Sequence, residues 1–157
     1  MSVEYAQVAP GIYIGSVQAV INDEFMRGAD INLVVNGSNL AVKNNTQTPT
    51  IEVVDLLDTA DFSREAVEKL RFKINAVVDA ARDYIKTHNA PNILFHCYAG
   101  INRSATLLAV YLVKYHGYRP ADAIAALVAA NKTRGLPVLT NPLFLALIND
   151  MAPYSTF

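Results

Sequence analysis

Asn92 to Val113 read NILFHCYAGINRSATLLAVYLV, and this stretch decides the fold. The apolar run Ile93–Phe95 is short and bounded by a turn, so it reads as a fully buried strand. From RSATLLAVYLVKYHGY onward the pattern is helical, with Gly117 as the stop. Between strand and helix lies HCYAGINRS, which holds the chain's single cysteine, Cys97. A loop in that position collects unpaired backbone N–H groups, and the helix dipole adds positive potential, so the geometry suits an oxyanion. Gly100 lets the backbone curl without a Cβ clash. Arg103 offers a planar, two-pronged contact to two phosphate oxygens. Cys97, at the bottom of the cradle, is in a setting that lowers a thiol pKa from ~8.5 into the ~3.5–7.5 range and creates a thiolate nucleophile. Ser104 is placed to donate a hydrogen bond to that sulfur when it leaves. His96 is expected to orient the loop by hydrogen bonding; a thiolate needs no base.

Working outward, GIYIGS (Gly11–Ser16) is β-prone, and Val17–Ala29 has helix-like spacing. INLVVNGS (Ile31–Ser38) is a β-branched run stopped by Asn-Gly, and IEVVDLL (Ile51–Leu57) is the next strand. A long helix follows from an N-cap at Ser63. Two more are expected over RPADAIAALVAANKT and NPLFLALINDM, the last with Asn141 as N-cap and Pro142 at its first position. Strands alternating with helices predict an α/β domain with a central, mainly parallel sheet flanked by helices. No linker or repeat interrupts residues 1–157, so a single domain is expected.

Composition narrows the chemistry. With 157 residues, 52% hydrophobic and 17% charged, the chain is that of a compact domain rather than a disordered one. A formal net charge of -1 supplies no global field for nucleic acid or acidic membranes, so an anionic substrate needs a local site. One cysteine excludes an internal disulfide and any multi-cysteine zinc site. The N-terminus lacks a signal-peptide pattern, and no apolar run approaches the ~18–20 residues that span a bilayer. A cytoplasmic, soluble protein is expected. His88 and His116 lie at helix ends, where histidine commonly completes a terminus.

HCYAGINRSAT resembles the active-site signature of the cysteine-dependent protein tyrosine phosphatases, and the RSAT form continuing into LLAVYLV is most similar to their dual-specificity branch. VAPGIYIGS is similar to that family's opening strand and INLVVNGS to the strand ending in asparagine. AANKTRGLPVLTNPLFLALI resembles its arginine-containing turn and final helix. The resemblance implies the protein tyrosine phosphatase-like fold and attack of Cys97 on phosphorus to give a cysteinyl-phosphate. It also implies phosphoryl binding by the loop, Tyr98, Ala99, Gly100, Ile101 and Asn102 with His96 beside them, together with Arg103, and no metal or cofactor. A general acid is implied from the segment IEVVDLLDTADFS, where Asp58 is the first choice, Asp55 the second, and Asp61 could instead lead the following helix. The side chains of Tyr98 and Ile101 are expected at the pocket rim. The expected substrate is a phosphorylated protein carrying phosphotyrosine or phosphoserine/phosphothreonine, with no nucleic-acid or membrane partner. The alternatives are a phosphatase for a phosphoinositide, an RNA 5′ end or a nucleotide, or a phosphate-binding module that has lost catalysis. YAGIN carries no lysine of the kind lipid-directed relatives have, and the retained Cys97, Arg103 and Ser104 argue against a degenerate module. A lone reactive thiolate is further expected to oxidise to a sulfenic acid or sulfenamide, with no second cysteine to protect it.

Overall fold

The computed structural model describes residues 4–53, 56 and 61–151. Among these, the strands β1 (Tyr5–Ala9), β2 (Ile12–Gly15), β3 (Leu33–Asn36), β4 (Thr50–Glu52) and β5 (Ile93–His96) form one sheet in the order β1-β2-β5-β3-β4. β2, β5, β3 and β4 run parallel, and β1 closes one edge antiparallel to β2. The β1–β2 turn is Pro10-Gly11, with Ala9 paired to Ile12 and Gly11 at φ +75; proline before a positive-φ glycine is the chemistry of a type II turn.

β5 is central and every residue of it is buried, as is every residue of β3. Their alternation feeds two cores. Leu33, Val35, Ile93 and Phe95 join the large cluster on the face covered by the four later helices. Val34 and Leu94 join a smaller one with Ala19, Val20, Phe25 and Met26. The helices on the large face are α3 (Arg64–His88), α4 (Arg103–Tyr115), α5 (Pro120–Thr133) and α6 (Pro142–Asn149). α3 buries Leu70, Ile74, Val78 and Ala81, one stripe at helical spacing. α4 is buried from Ser104 to Val113, because α3, α5, α6 and the sheet surround it. Its packing on all sides matters, since its first turn carries the candidate chemistry.

The caps at Ser63 and Asn141 are formed: Ser63 Oγ accepts from Ala66 N at 3.3 Å and Asn141 Oδ1 from Leu143 N at 2.9 Å. Gly117, at φ +73, follows the α4 terminus as expected. Two expectations differ. The helical stretch Val17–Ala29 is broken into α1 (Val17–Val20) and α2 (Asp23–Gly28), because Asn22 restarts it by accepting from Phe25 N at 3.0 Å. Of the strand expected over Ile51–Leu57, the described residues form Thr50–Glu52, paired to β3, with Val53 already outside it; Val54, Asp55 and Leu57 lie outside the described residues. No helix among the described residues is long and apolar enough to cross a membrane.

Candidate active site

β5 ends at His96, so the parallel sheet delivers Cys97 to the C-terminal edge of its central strand. α4 begins six residues later, and Asn102 at its N-cap makes no side-chain cap to it. The Asn102 side chain turns sideways instead: its Nδ2 donates to Thr140 Oγ1 at 3.1 Å and its Oδ1 accepts from Asn141 N at 3.1 Å. The first N–H groups of α4 are thereby left for whatever the loop holds.

The loop's carbonyls explain its shape. Tyr98 O accepts from Val17 N at 3.3 Å and Ile101 O from Leu139 N at 2.9 Å. Ala99 O accepts from Arg134 Nη2 at 3.0 Å. Gly100 O accepts from Arg134 Nη1 at 3.0 Å and Asn131 Nδ2 at 2.9 Å. Four consecutive carbonyls are therefore held outward by the scaffold, and the amide groups between them turn inward. Gly100 N donates to Cys97 Sγ at 3.3 Å, and the Ser104 hydroxyl lies 3.3 Å from the same sulfur.

Cys97 is 3% exposed, and burial alone pushes its thiol pKa up. The Ser104 hydroxyl and the backbone N–H groups of Ser104, Gly100 and Ile101 act the other way and prevail, leaving the pKa below its ordinary value. Arg103 reaches across the cradle's edge, its Nη1 donating to Ser38 O at 3.3 Å. That carbonyl is presented by a turn built on Asn36 at the end of β3. Asn36 Oδ1 accepts from Ser38 N at 2.8 Å and from Ser38 Oγ at 2.6 Å, while its Nδ2 donates to Leu40 O at 2.7 Å. Tyr98, beside the nucleophile, is 63% exposed.

His96 is placed differently from expectation. Its side chain is fully buried, and neither ring nitrogen has a hydrogen-bond partner among the described residues. Burial pushes its pKa down to about 4, the backbone at Cys97 acting weakly in the opposite sense. The imidazole is thus a neutral packing element behind the loop, and the residue's directing bond is a main-chain one, from Gly37 N to His96 O at 2.7 Å. Asp61 is exposed, and its Oδ1 accepts from Ser63 N at 2.9 Å at the head of α3. The Ser63 backbone and side-chain bonds lower its pKa, which favours the carboxylate over the protonated form an acid needs. Asp55 and Asp58 lie outside the described residues. Arg134 was legible in the sequence only as the arginine of the turn that resembles the family's; its contact with the loop was not, because it spans 34 and 35 positions of chain.

A cysteine sulfur that accepts from loop amides and a serine, at the end of a central parallel strand, defines a cysteine-loop α/β domain. The family described as "Dual specificity phosphatase, catalytic domain" matches residues 12–151, and the chain belongs to it. Dual specificity protein phosphatase 16 of Homo sapiens is 32% identical over 111 residues, covering 69% of this chain and 15% of that protein. Dual specificity protein phosphatase 26 of Bos taurus is 31% identical over 121 residues, covering 75% of this chain and 55% of that protein. The chain thus spans about half the length of one of these curated relatives and far less of the other. The crystal structure of human DUSP28 superposes with a TM-score of 0.74 at 21% identity, over 94% of this chain and 92% of that one, a likeness of fold.

Proposed function

We propose that this chain is a phosphomonoester hydrolase that dephosphorylates phosphotyrosine and phosphoserine/phosphothreonine in proteins. The observation that carries the reading is the setting of Cys97 Sγ, with the Ser104 hydroxyl and the Gly100 N–H each at 3.3 Å. The Cys97 thiolate attacks phosphorus, an S–P bond forms, and the ester P–O bond breaks. Negative charge on the three equatorial oxygens is met by the backbone N–H groups of residues 98–103 and by the Arg103 guanidinium. The leaving oxygen takes a proton from a carboxylic acid, assigned to Asp58 with Asp55 as the second candidate. In the second step water attacks phosphorus, gives its proton to the same carboxylate, and the S–P bond breaks. Ser104 then donates to the returning thiolate, which is a better leaving group for that bond. Membership of the dual-specificity phosphatases supports the substrate class.

The test is hydrolysis of para-nitrophenyl phosphate near pH 6 with a reductant, followed by phosphopeptides carrying phosphotyrosine or phosphothreonine. Cys97→Ser is expected to abolish turnover. Asp58→Asn is expected to slow it by about 10²-fold or more, with Asp61→Asn close to wild type. Absence of turnover in the reduced wild type would overturn the reading.

A further inference from the structure

Arg134 is 1% exposed and belongs to the largest fully buried side chains of the protein. A buried guanidinium is expensive to desolvate unless its donors are satisfied, and here two of the acceptors are carbonyls of the phosphate loop. Nη2 meets Ala99 O and Nη1 meets Gly100 O, each at 3.0 Å. Asn131 completes the support, its Oδ1 accepting from Arg134 Nη1 at 3.0 Å and its Nδ2 donating to Gly100 O at 2.9 Å. A longer bond of 3.4 Å from Nη2 to Glu4 O ties the start of β1 to the same point. The outer loop carbonyls, Tyr98 and Ile101, are held by main-chain donors, whereas the two central ones are held by Arg134 and Asn131 side chains. The fit is close enough that a Cβ added at Gly100 would stand 2.6 Å from Arg134 Nη1.

We propose that Arg134 is a positioning residue whose planar fork, gripping Ala99 O and Gly100 O from beneath, keeps the central amides of the loop aimed at the Cys97 sulfur and at a bound phosphoryl group. The inference rests on the reading of the Cys97 loop as a phosphate cradle. Two adjacent carbonyls set at the spacing of one guanidinium require a bidentate donor; a lysine ammonium is a point charge and meets them one at a time. Electrostatics act in the same sense: burial pushes the Arg134 pKa down and the facing Cys97 charge pushes it back up. Arg103 on α4 donates instead to Ser38 O, and the neutral His96 ring is packed behind the loop, so neither takes the place of this fork.

The experiment compares wild type, Arg134→Lys, Arg134→Gln and Asn131→Ala in two readouts that need no turnover. One is the pH midpoint of Cys97 alkylation by iodoacetamide; the other is tungstate binding by calorimetry, both on protein shown to be folded by its melting curve. Arg134→Gln is expected to raise the midpoint by about one pH unit and to weaken tungstate binding by about tenfold or more, the worth of one lost hydrogen bond. Arg134→Lys retains the charge and is still expected to bind tungstate about tenfold more weakly. Asn131→Ala shifts both readouts in the same direction by less. A lysine variant that matches wild type in both readouts would overturn the proposal, as would variants with lowered melting temperature but unchanged midpoint and affinity. Should the glutamine variant not fold, the lysine and Asn131 variants decide. Failure of the wild type to hydrolyse phosphate esters would strike the function reading alone, because alkylation and tungstate binding report the loop directly.

Discussion

Gly100→Ala tests how closely the phosphate loop is packed on its support. Gly100 is at φ +75, and an added Cβ would meet Arg134 Nη1 at 2.6 Å, Gly15 O at 2.7 Å and Gly15 C at 2.9 Å. The left-handed backbone costs an alanine about 1–2 kcal/mol, offset by roughly 0.5 kcal/mol or more from the stiffer unfolded chain. The contacts add a second penalty. Gly15 belongs to β2, whose backbone is paired to β1 on one side and β5 on the other, so its carbonyl has no room to retreat. Overpacking of that kind costs about 1–3 kcal/mol, and displacing Arg134 forfeits bonds worth about 1 kcal/mol each. The sum is a loss of about 3–6 kcal/mol. Gly135→Ala is the control: it has nearly the same backbone, φ +70, and nothing within 4 Å of an added Cβ. Its loss is expected at about 1 kcal/mol. Urea denaturation of both variants at pH 7, with tungstate binding measured alongside, separates conformation from close approach. Equal losses in the two variants would refute the close-approach argument.

The remaining predictions concern single groups. Ser104→Ala removes the largest influence lowering the Cys97 pKa, so the alkylation midpoint is expected to rise and alkylation at pH 6 to slow by about tenfold. His96 has a folded pKa of about 4 against an ordinary 6.5, so the unfolded chain binds the extra proton between those values and stability falls as pH drops through that window. Its share is about 3 kcal/mol, read as the difference in pH-dependent denaturation between wild type and His96→Asn; parallel curves would contradict it. Asp79 joins α3 to α4 by accepting from Lys114 Nζ at 2.6 Å and from Tyr115 OH, so Asp79→Ala is expected to cost about 1 kcal/mol in urea, discounted for its exposure. Burial pushes the Asp79 pKa up, but its bonds to Lys114 and Tyr115 prevail, so this contribution is present at neutral pH and is lost as acid protonates the carboxylate. Mild peroxide is expected to give a reducible adduct or sulfenamide at Cys97, and mass spectrometry finding only unmodified thiol would count against it.

What was legible in the sequence was local. The Ser63 cap, the Asn141-Pro142 start and the Gly117 stop act over three or four residues, and each formed as read. The all-buried runs of β3 and β5 showed as unbroken apolar stretches because both faces of the sheet are covered. The restart at Asn22 was missed although its signal, asparagine followed by two acidic residues, was there; continuous apolar spacing masked it. β1 was weaker still, since five residues with mixed burial make little pattern until β2 pairs with them.

The sequence by itself determined that a cysteine, a glycine, an arginine and a serine would share one short loop between a buried strand and a helix, because spacing along the chain is fixed by covalent geometry. Which way the loop's carbonyls face was decided by the tertiary structure. Their donors come from Val17, Asn131, Arg134 and Leu139, and the Arg134 fork reaches residues 34 and 35 positions away, and Glu4 at 130. The same holds for His96, a polar residue in sequence and a neutral one in its sealed pocket. Hydrogen-bond partners and desolvation depend on distances through space, and only the packed chain brings those distances into being.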